Sequence, residues 1–324
     1  MLEFNHFFAG SNTCRGFYGV FDSVFDLSRL NRLFILKGGP GVGKSSLMKR
    51  AAQYAEGLGL TVDRCHCSSD PESLDGIIIR SIGVALMDGT SPHSTDPVLP
   101  TAADEIINLG TGLDEEKLKV RRKALEALGF EIKKQFNASN LFSAAAESIR
   151  TAAGVNAEAH GSGEAESSFD AGEVFSLCSK KKNAPGNARH VFLSALTPEG
   201  IVSFLPDTGD AIPCGELKDT AFRAMSQGID CVLCHDPINA DRLEYVLLDG
   251  RILLKAKDFD ADARLCGIYG ELIDISVSHL KNAKRLHSEL EAPYIEAMDF
   301  SVCDAAFERI ARFIEKQTAL MPSL

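Results

Sequence analysis

The sequence predicts an α/β protein, and three observations carry this prediction. Residues 33–36 (LFIL) are a short apolar run that is typical of a buried strand. A glycine-rich stretch follows at residues 38–46 (GGPGVGKSS), and residues 45–56 then place leucine and alanine at helical spacing. Two blocks of the first half also recur in the same order in the second half, which indicates two α/β copies in one chain.

The glycine-rich stretch matches the pattern G-x-x-x-x-G-K-[ST], the phosphate-binding P-loop. Glycines allow backbone N–H groups to curl around a phosphate without a Cβ in the way, and the helix that follows adds a partial positive charge. The lysine supplies a point charge to the β- and γ-phosphates, and the hydroxyl after it is a magnesium ligand. We therefore expect nucleotide phosphates to be bound by Gly38, Gly39, Pro40, Gly41, Val42, Gly43, Lys44, Ser45 and Ser46.

A magnesium ion at a P-loop also needs a carboxylate, usually one at the end of an apolar strand. Asp88 follows the apolar run 84–87 (VALM) and is the first choice, although Asp88 and Gly89 together are also a turn dipeptide. The alternatives for this carboxylate are Asp63, Asp70 and Asp75.

The predicted chemistry follows from these residues. We expect ATP and Mg²⁺ as cofactors, with Ser45 and Asp88 as metal ligands and with Lys44 and Asp88 as catalytic residues. Many ATPases place a glutamate directly after the aspartate, whereas this chain has Gly89 there. Without this glutamate there are three alternatives: hydrolysis is slow, another residue is the general base, or the phosphate is transferred to an acceptor other than water. The possible helpers are His66, His93 and Asp96.

The second half resembles a damaged copy of the first. Residues 5–21 align with 189–205, and residues 59–79 align with 228–248, each without a gap. Between these blocks the second copy is shorter, and its residues 207–222 (DTGDAIPCGELKDTAF) contain no G-K-[ST] and no strong apolar strand. The sequence therefore predicts that the second half has lost its own nucleotide site.

The remaining patterns complete the predicted organisation. Strands are expected at 60–65 and 84–87, and helices at 102–109, 115–153, 268–298 and 302–320. A break near 137–140 would turn the long first-half helix into a helical hairpin, and Asp249-Gly250 predicts a β-hairpin turn. The expected fold is a P-loop NTPase-type parallel sheet with helices on both faces and a helical hairpin, followed by a reduced second copy. The expected domains are 1–153, a linker at 154–185, and 186–324 with the C-terminal helices.

Composition and charge limit the classes of function. The net charge of −11 argues against non-specific nucleic-acid binding, because a nucleic-acid surface needs a basic partner. The sequence contains no run of 18 apolar residues and no basic start followed by a long apolar core, so we expect neither a membrane span nor a signal peptide. Nine cysteines without an export signal favour reduced thiols and a cytoplasmic location.

With these motifs in view, nearly the whole chain resembles a little-characterised bacterial family of tandem P-loop ATPases. The resemblance is carried by residues 7–10 (FFAG), 38–46, 66–70 (HCSSD), 88–93 (DGTSPH) and 291–300 (EAPYIEAMDF). It implies two successive P-loop copies, and the missing loop in the second half of this chain departs from that pattern. The resemblance names no substrate.

Three functions compete at this point. The first is a magnesium-dependent ATPase with one competent site, in which the second half regulates or completes that site. Arg242 and Arg251 are the candidates for an arginine supplied by the second half. The second function is a kinase for a nucleotide or another small molecule, and the third is an ATP-gated binding module. The chain has no N-K-x-D motif, which favours ATP over GTP. The sequence indicates no particular protein partner, second substrate or oligomeric state.

Overall fold

The computed structural model describes residues 4–155, 184–205, 209–212, 214–256 and 263–321 and shows a mixed α/β protein. The strands of the first half are β1 (His6–Phe8), β2 (Gly10–Thr13), β3 (Gly16–Gly19), β4 (Arg32–Lys37), β5 (Val62–Cys67), β6 (Asp70–Ile79), β7 (Val84–Asp88) and β8 (Asp104–Asn108). Those of the second half are β9 (Ala188–Val191), β10 (Ser194–Thr197), β11 (Gly200–Ser203), β12 (Asp210–Ile212), β13 (Cys231–His235), β14 (Leu243–Leu248) and β15 (Ile252–Ala256). The helices are α1 (Phe21–Val24), α2 (Lys44–Gly57), α3 (Glu115–Lys119), α4 (Arg122–Arg150), α5 (Cys214–Ser226), α6 (Ala263–Glu296) and α7 (Ser301–Ala319). None of the helices in the described ranges is long and apolar enough to cross a membrane.

The chain forms two compact units that interleave along the sequence. The first unit consists of Asn5–Ala9, Phe25–Phe136 and Leu280–Leu324, and the second of Met1–Phe4, Gly10–Val24 and Asn137–His279. Two of the boundaries fall inside the long helices α4 and α6. These units differ from the consecutive ranges 1–153 and 186–324 expected from the sequence. Most of the expected linker, residues 156–183, lies outside the described residues.

The first unit contains a six-stranded sheet in the order β1-β5-β6-β7-β4-β8. The pairs β1–β5, β7–β4 and β4–β8 are parallel, but β6 is antiparallel to both of its neighbours. The prediction of a parallel sheet is therefore only partly correct. The reason is the length of the connections: β5 returns directly into β6, and a single 3₁₀ turn at Arg80–Ile82 joins β6 to β7. Parallel neighbours would require longer crossovers.

Helices α2 and α7 pack together against the strands of the first unit. The buried face of α2 presents Leu47, Met48, Ala51, Ala52 and Ala55, so its small residues allow close approach. From α7, Ile310 and Ile314 enter the same apolar cluster as Phe34 and Leu36 of β4. This cluster fixes the end of β4 and the start of α2, the two elements that flank the glycine-rich stretch.

The second unit contains a five-stranded sheet with the same relations between its strands. Its order is β12-β15-β14-β13-β9, in which β12–β15 and β13–β9 are parallel and β14 is antiparallel to both neighbours. Strand β14 thus corresponds to β6, β15 to β7 and β12 to β4. Two hairpins, β2–β3 and β10–β11, also belong to this unit and pack on each other.

Strand register identifies the counterpart of Asp88. In the first unit Leu36 of β4 pairs with Asp88 of β7, and in the second unit Ile212 of β12 pairs with Ala256 of β15. Ala256 therefore stands at the position of Asp88. The second unit lacks this carboxylate among its described residues.

The connection between β12 and α5 is much shorter than its counterpart. Strand β4 ends at Lys37 and α2 begins at Lys44, whereas β12 ends at Ile212 and α5 begins at Cys214. The sequence predicted no strong apolar strand before this point, and β12 is accordingly a three-residue strand in which only Ile212 is buried. The connection from Ile212 to Cys214 is too short to form a phosphate loop.

Two helical predictions in the first half are wrong. Residues 104–108 form the strand β8, which pairs in parallel with β4, with Ile107 buried and Ile106 exposed on opposite faces. Helix α4 runs from Arg122 to Arg150 without a break at 137–140, so the helical hairpin does not form. The polar residues there are accommodated by tertiary contact, since the Ser139 hydroxyl is buried in a 2.8 Å hydrogen bond with the Ser276 hydroxyl.

Other local predictions are confirmed. Asp249 and Gly250 have φ of 50° and 65°, and Leu248 pairs with Ile252 across the resulting turn. Such positive φ values at both central residues are what a two-residue hairpin requires. The two helices predicted at 268–298 and 302–320 are present as α6 and α7, although α6 begins five residues earlier, at Ala263.

Candidate functional site

Residues 38–46, called the glycine loop below, connect β4 to α2 in the first unit. Gly38, Gly41 and Gly43 have φ of 146°, 70° and 90°. These values lie in the region that favours glycine, because a Cβ there meets the backbone. The sequence thus folds into a curled loop that ends at the first turn of α2.

The backbone N–H groups in the second part of the glycine loop have no acceptor among the described residues. Within the described part of the chain, the N–H groups of residues 41–46 donate no hydrogen bond, and the first bond of the helix runs from Leu47 N–H to the carbonyl of Gly43 at 2.9 Å. Unpaired N–H groups at a helix N-terminus form a cradle for an anion, helped by the helix dipole.

Lys44 is folded back across this cradle. Its Nζ donates to the carbonyls of Gly38 (3.3 Å) and Gly39 (2.9 Å) and lies 3.6 Å from Oδ2 of Asp88. The side chains of Lys44 and Asp88 are only 11% and 16% exposed. The structure therefore brings the two predicted catalytic residues together at the ends of adjacent parallel strands.

Asp88 is oriented by its own turn. Its Oδ1 accepts hydrogen bonds from the backbone N–H of Thr90 (2.9 Å) and from the Thr90 hydroxyl (2.6 Å). The other oxygen, Oδ2, faces Lys44. The turn expected at Asp88-Gly89 and the metal-side carboxylate are thus compatible, because each uses a different oxygen.

His93 lies between the backbone carbonyl of Asp88 and the buried carboxylate of Asp75. The Nδ1–H of His93 donates to the backbone carbonyl of Asp88 at 2.8 Å, which leaves Nε2 3.7 Å from Oδ1 of Asp75. Burial raises the pKa of Asp75 to about 6; His93 opposes this shift, the negative charge of Asp88 adds to it, and Cys67 and Lys44 oppose it. The Asp75 carboxyl, beside His93, therefore holds its proton to a higher pH than an ordinary aspartate.

The other two candidate aspartates are committed elsewhere. Asp63 is buried and paired with Arg80, and Asp70 pairs with Lys284 at 2.8 Å and accepts a bond from the Ser73 hydroxyl. Both pairs lie within the first unit. Structure therefore favours Asp75 over these two as the second acid near the loop.

The remaining predicted helpers lie in other surroundings. The Nδ1–H of His66 donates to the carbonyl of Pro71 (2.7 Å), and its Nε2 lies 2.9 Å from Nδ1 of His6. The Asp96 carboxylate is 91% exposed and 3.4 Å from Lys37. Neither is linked to Asp88 by the contacts described for them.

Both arginine candidates belong to the second unit. Arg242 donates to Glu147 at 2.8 Å, and Arg251 lies 3.8 Å from Asp249. These pairings are internal to that unit. The arginine role stays a prediction.

Ser45 and Asp88 supply the donor types that magnesium prefers. The Ser45 hydroxyl accepts a bond from Leu74 N–H at 3.0 Å and keeps a second lone pair. Across the described ranges, no group of three or more His, Cys, Asp or Glu side chains is placed to hold a metal ion. A hard cation held by one hydroxyl, one carboxylate, water and phosphate oxygens needs no such group, so these two residues fit Mg²⁺ when a phosphate is bound.

Residues near the C-terminus enclose the glycine loop, and sequence reasoning did not place them there. A Cβ on Gly39 would lie 2.9 Å from the Tyr294 ring, one on Gly41 would lie 2.9 Å from Ile295, and one on Gly43 would lie 3.2 Å from the Cys303 sulfur. The Cys303 thiol also donates to the carbonyl of Val42 at 3.3 Å. Residues 291–300 carry part of the family resemblance, but their composition does not indicate that they contact the glycine loop.

The geometry thus comprises a cradle of backbone donors, a lysine folded over it, and His93 between the backbone of Asp88 and the carboxylate of Asp75. Every part of it lies within the first unit. Comparison of the chain with protein-family models, with curated proteins and with solved structures gave no match.

Proposed function

We propose that the first unit binds ATP through the glycine loop and hydrolyses it with Mg²⁺. The observation that carries the proposal is the cradle of unpaired N–H groups with the Lys44 ammonium folded across it. A strand, this loop and a helix in sequence are also what the tandem P-loop ATPases have in common with this chain, so we assign the sheet to the P-loop NTPase type.

Each residue has a role that follows from its contacts. Lys44 now donates to two loop carbonyls, and phosphate oxygens are stronger acceptors for the same ammonium. Ser45 and Oδ2 of Asp88 would hold Mg²⁺, which supplies positive charge to the β- and γ-phosphates. Asp88 is kept in place by Thr90, so its free oxygen is already oriented.

The proton of an attacking water requires an acceptor, and no glutamate follows Asp88. His93 has its Nδ1–H committed to the Asp88 carbonyl, so Nε2 is the nitrogen that accepts a proton. Asp75 lies next to it and has a pKa of about 6. We assign proton acceptance to this Asp75–His93 pair.

One nucleotide per chain is expected. The second unit has one residue between Ile212 and Cys214 where the first unit has the glycine loop, and Ala256 where it has Asp88. The described residues at that position therefore supply neither a phosphate cradle nor a metal carboxylate.

The test is titration calorimetry with MgATP on the full chain and on Lys44→Ala, with phosphate release measured in the same samples. We expect one site per chain and an affinity at least about tenfold weaker in Lys44→Ala, because a charged hydrogen bond to phosphate is lost. Lys49→Ala is the matched control, since Lys49 is an exposed lysine on the same helix. Equal affinities in the two variants would reject the site. Binding without phosphate release would reject hydrolysis alone.

A further inference from the structure

An open cleft of about 790 Å³ lies beside the glycine loop within the first unit. Its size is typical of small-molecule sites. The loop, the segment after β8, and helices α3, α4 and α6 all contribute to its walls, chiefly through Pro40, Gly110, Leu113, Leu118, Leu125 and Tyr294.

The cleft borders the glycine loop, which contributes Pro40 to its wall. The backbone nitrogen of Gly110 lies 3.1 Å from where a Cβ on Gly38 would stand, and the Tyr294 ring lies 2.9 Å from where a Cβ on Gly39 would stand. Glycine at both positions allows this close approach. A ligand with its phosphates on the glycine loop would therefore have the cleft directly beside it, next to Pro40.

The two sides of the loop differ in chemistry. Lys44 and Asp88 meet on the side of β4 that pairs with β7. Gly110 follows β8, which pairs with the opposite edge of β4. Terminal phosphates held at Lys44 and Asp88 leave the rest of a nucleotide to run toward the β8 side, where the cleft lies.

The walls of the cleft suit a flat apolar group with polar edges. Leu113, Leu118 and Leu125 are half-buried and face it together with the ring of Tyr294. In the described residues the Tyr294 hydroxyl has no hydrogen-bond partner. The charged residues at the rim are paired among themselves, Lys119 with Glu115 at 2.9 Å and Arg122 with Glu126 at 2.7 Å. Their pairing keeps net charge away from the apolar wall.

We propose that this cleft binds the nucleoside of the nucleotide, with the base against Tyr294 and the leucine wall. The inference rests on the proposed function, because it needs phosphates in the glycine loop. Stacking on an aromatic ring and contact with leucines tolerate any base, so the cleft strengthens binding without itself selecting adenine.

The experiment compares two ligands, ATP and inorganic tripolyphosphate, by calorimetry on the full chain. The variants are Tyr294→Ala and Leu118→Gln, and the control is Phe130→Ala, an exposed aromatic on α4 outside the cleft. Both cleft variants should weaken ATP by at least about fivefold and leave tripolyphosphate unchanged, because only ATP carries a base. The control should change neither affinity.

Other outcomes overturn the proposal in distinguishable ways. If Leu118→Gln binds ATP as tightly as the unmodified chain, the cleft does not hold the nucleoside. If both ligands weaken equally in the cleft variants, the substitutions act on the loop. Tyr294 touches the loop, so Leu118→Gln decides the question if Tyr294→Ala fails to fold. If the unmodified chain binds neither ligand, the proposed function itself fails, and this inference with it.

Discussion

Asp75 and Glu244 occupy the same position in two sheets with the same strand relations. Asp75 lies in β6 and Glu244 in β14, the antiparallel strand of each sheet. Burial raises the pKa of Asp75 to about 6 and that of Glu244 to about 7. The second unit thus keeps this carboxyl, although Ala256 stands there at the position of Asp88. A buried acid at this point is thus compatible with a unit whose described residues include no phosphate loop.

Asp75→Asn should change how stability depends on pH. The pKa of Asp75 in the fold, about 6, is above its ordinary value of 3.8, so between these values the folded chain binds more protons than the unfolded chain. The free energy of unfolding therefore falls as pH rises through this window. Asparagine does not titrate, so Asp75→Asn lacks this decrease. Relative to the unmodified chain, Asp75→Asn should gain up to about 3 kcal/mol between pH 4 and pH 7. Urea unfolding at several pH values measures the difference.

Glu244→Gln supplies the matched comparison in the second unit. The pKa of Glu244 rises from 4.5 to about 7, so its window lies higher than that of Asp75. Glu244→Gln should continue to gain relative stability between pH 6 and pH 7, where the gain of Asp75→Asn levels off. Two variants whose relative stabilities do not change with pH would show that neither acid titrates as described.

Asp88→Asn should separate nucleotide binding from its dependence on magnesium. Asparagine keeps an oxygen for the Thr90 N–H and hydroxyl but loses the negative charge beside Lys44. We expect ATP affinity in the presence of a chelator to be retained and the gain on adding Mg²⁺ to disappear. Phosphate release should fall by about 100-fold or more, because a metal contributes several kcal/mol to transition-state stabilisation.

Asp96→Asn is the control for that measurement. Asp96 is an exposed aspartate that follows the same strand and pairs with Lys37. It should keep both the magnesium effect and the turnover. An unchanged magnesium effect in Asp88→Asn would remove Asp88 from the metal site.

The sequence predicted those parts of the structure that depend on neighbours in the chain. The run from β4 through the glycine loop to α2 is local, and Lys44 and Asp88 followed from its motif and the next apolar strand. The hairpin at Asp249-Gly250 was equally local. In each case the side chains required are within a few residues of the feature that they form.

What the sequence did not predict depends on distant contacts. A helix break was predicted near residues 137–140, but the Ser139 hydroxyl there is hydrogen-bonded to Ser276 and the helix continues. Residues 102–109 were predicted to be helical, but residues 104–108 form strand β8 because they pair with β4, which is distant in sequence. Tyr294 reaches Gly39 only because the end of α6 packs on the loop. No short-range pattern contains such information.

Gly41→Ala should destabilise the chain even without nucleotide. Gly41 has φ of 70°, and a Cβ there would lie 2.9 Å from Ile295 and 3.1 Å from the Glu291 carbonyl. Backbone strain and overpacking together should cost about 2–4 kcal/mol. Gly129→Ala is the control, because Gly129 lies inside α4 with nothing near its Cβ position, and it should stabilise by about 0.5–1 kcal/mol. Thermal and urea unfolding of both variants test this prediction. The free energy of unfolding must fall in Gly41→Ala and rise in Gly129→Ala.

Arg150→Met should be among the most destabilising substitutions in the second unit. Arg150 holds Asp236 with two bonds, of 2.7 and 3.1 Å, and Glu147 with another of 2.7 Å, and its side chain is 11% exposed. Removing the guanidinium would leave the Asp236 carboxylate, which is 16% exposed, without this cation and with the backbone N–H bonds of Ile238 and Asn239, while Glu147 keeps Arg242 and Asn239. Loss of one partner from a buried pair costs about 3–5 kcal/mol.

The matched control for Arg150→Met is Arg122→Met at the start of the same helix. Arg122 pairs with Glu126 at 2.7 Å, but its side chain is 79% exposed, so solvent screens the pair and its loss should destabilise the chain far less than Arg150→Met does. Arg150→Lys should fall between the two, because lysine keeps the charge but not the paired bonds to Asp236. Urea unfolding with equal losses for Arg150→Met and Arg122→Met would show that burial does not strengthen the Arg150 network.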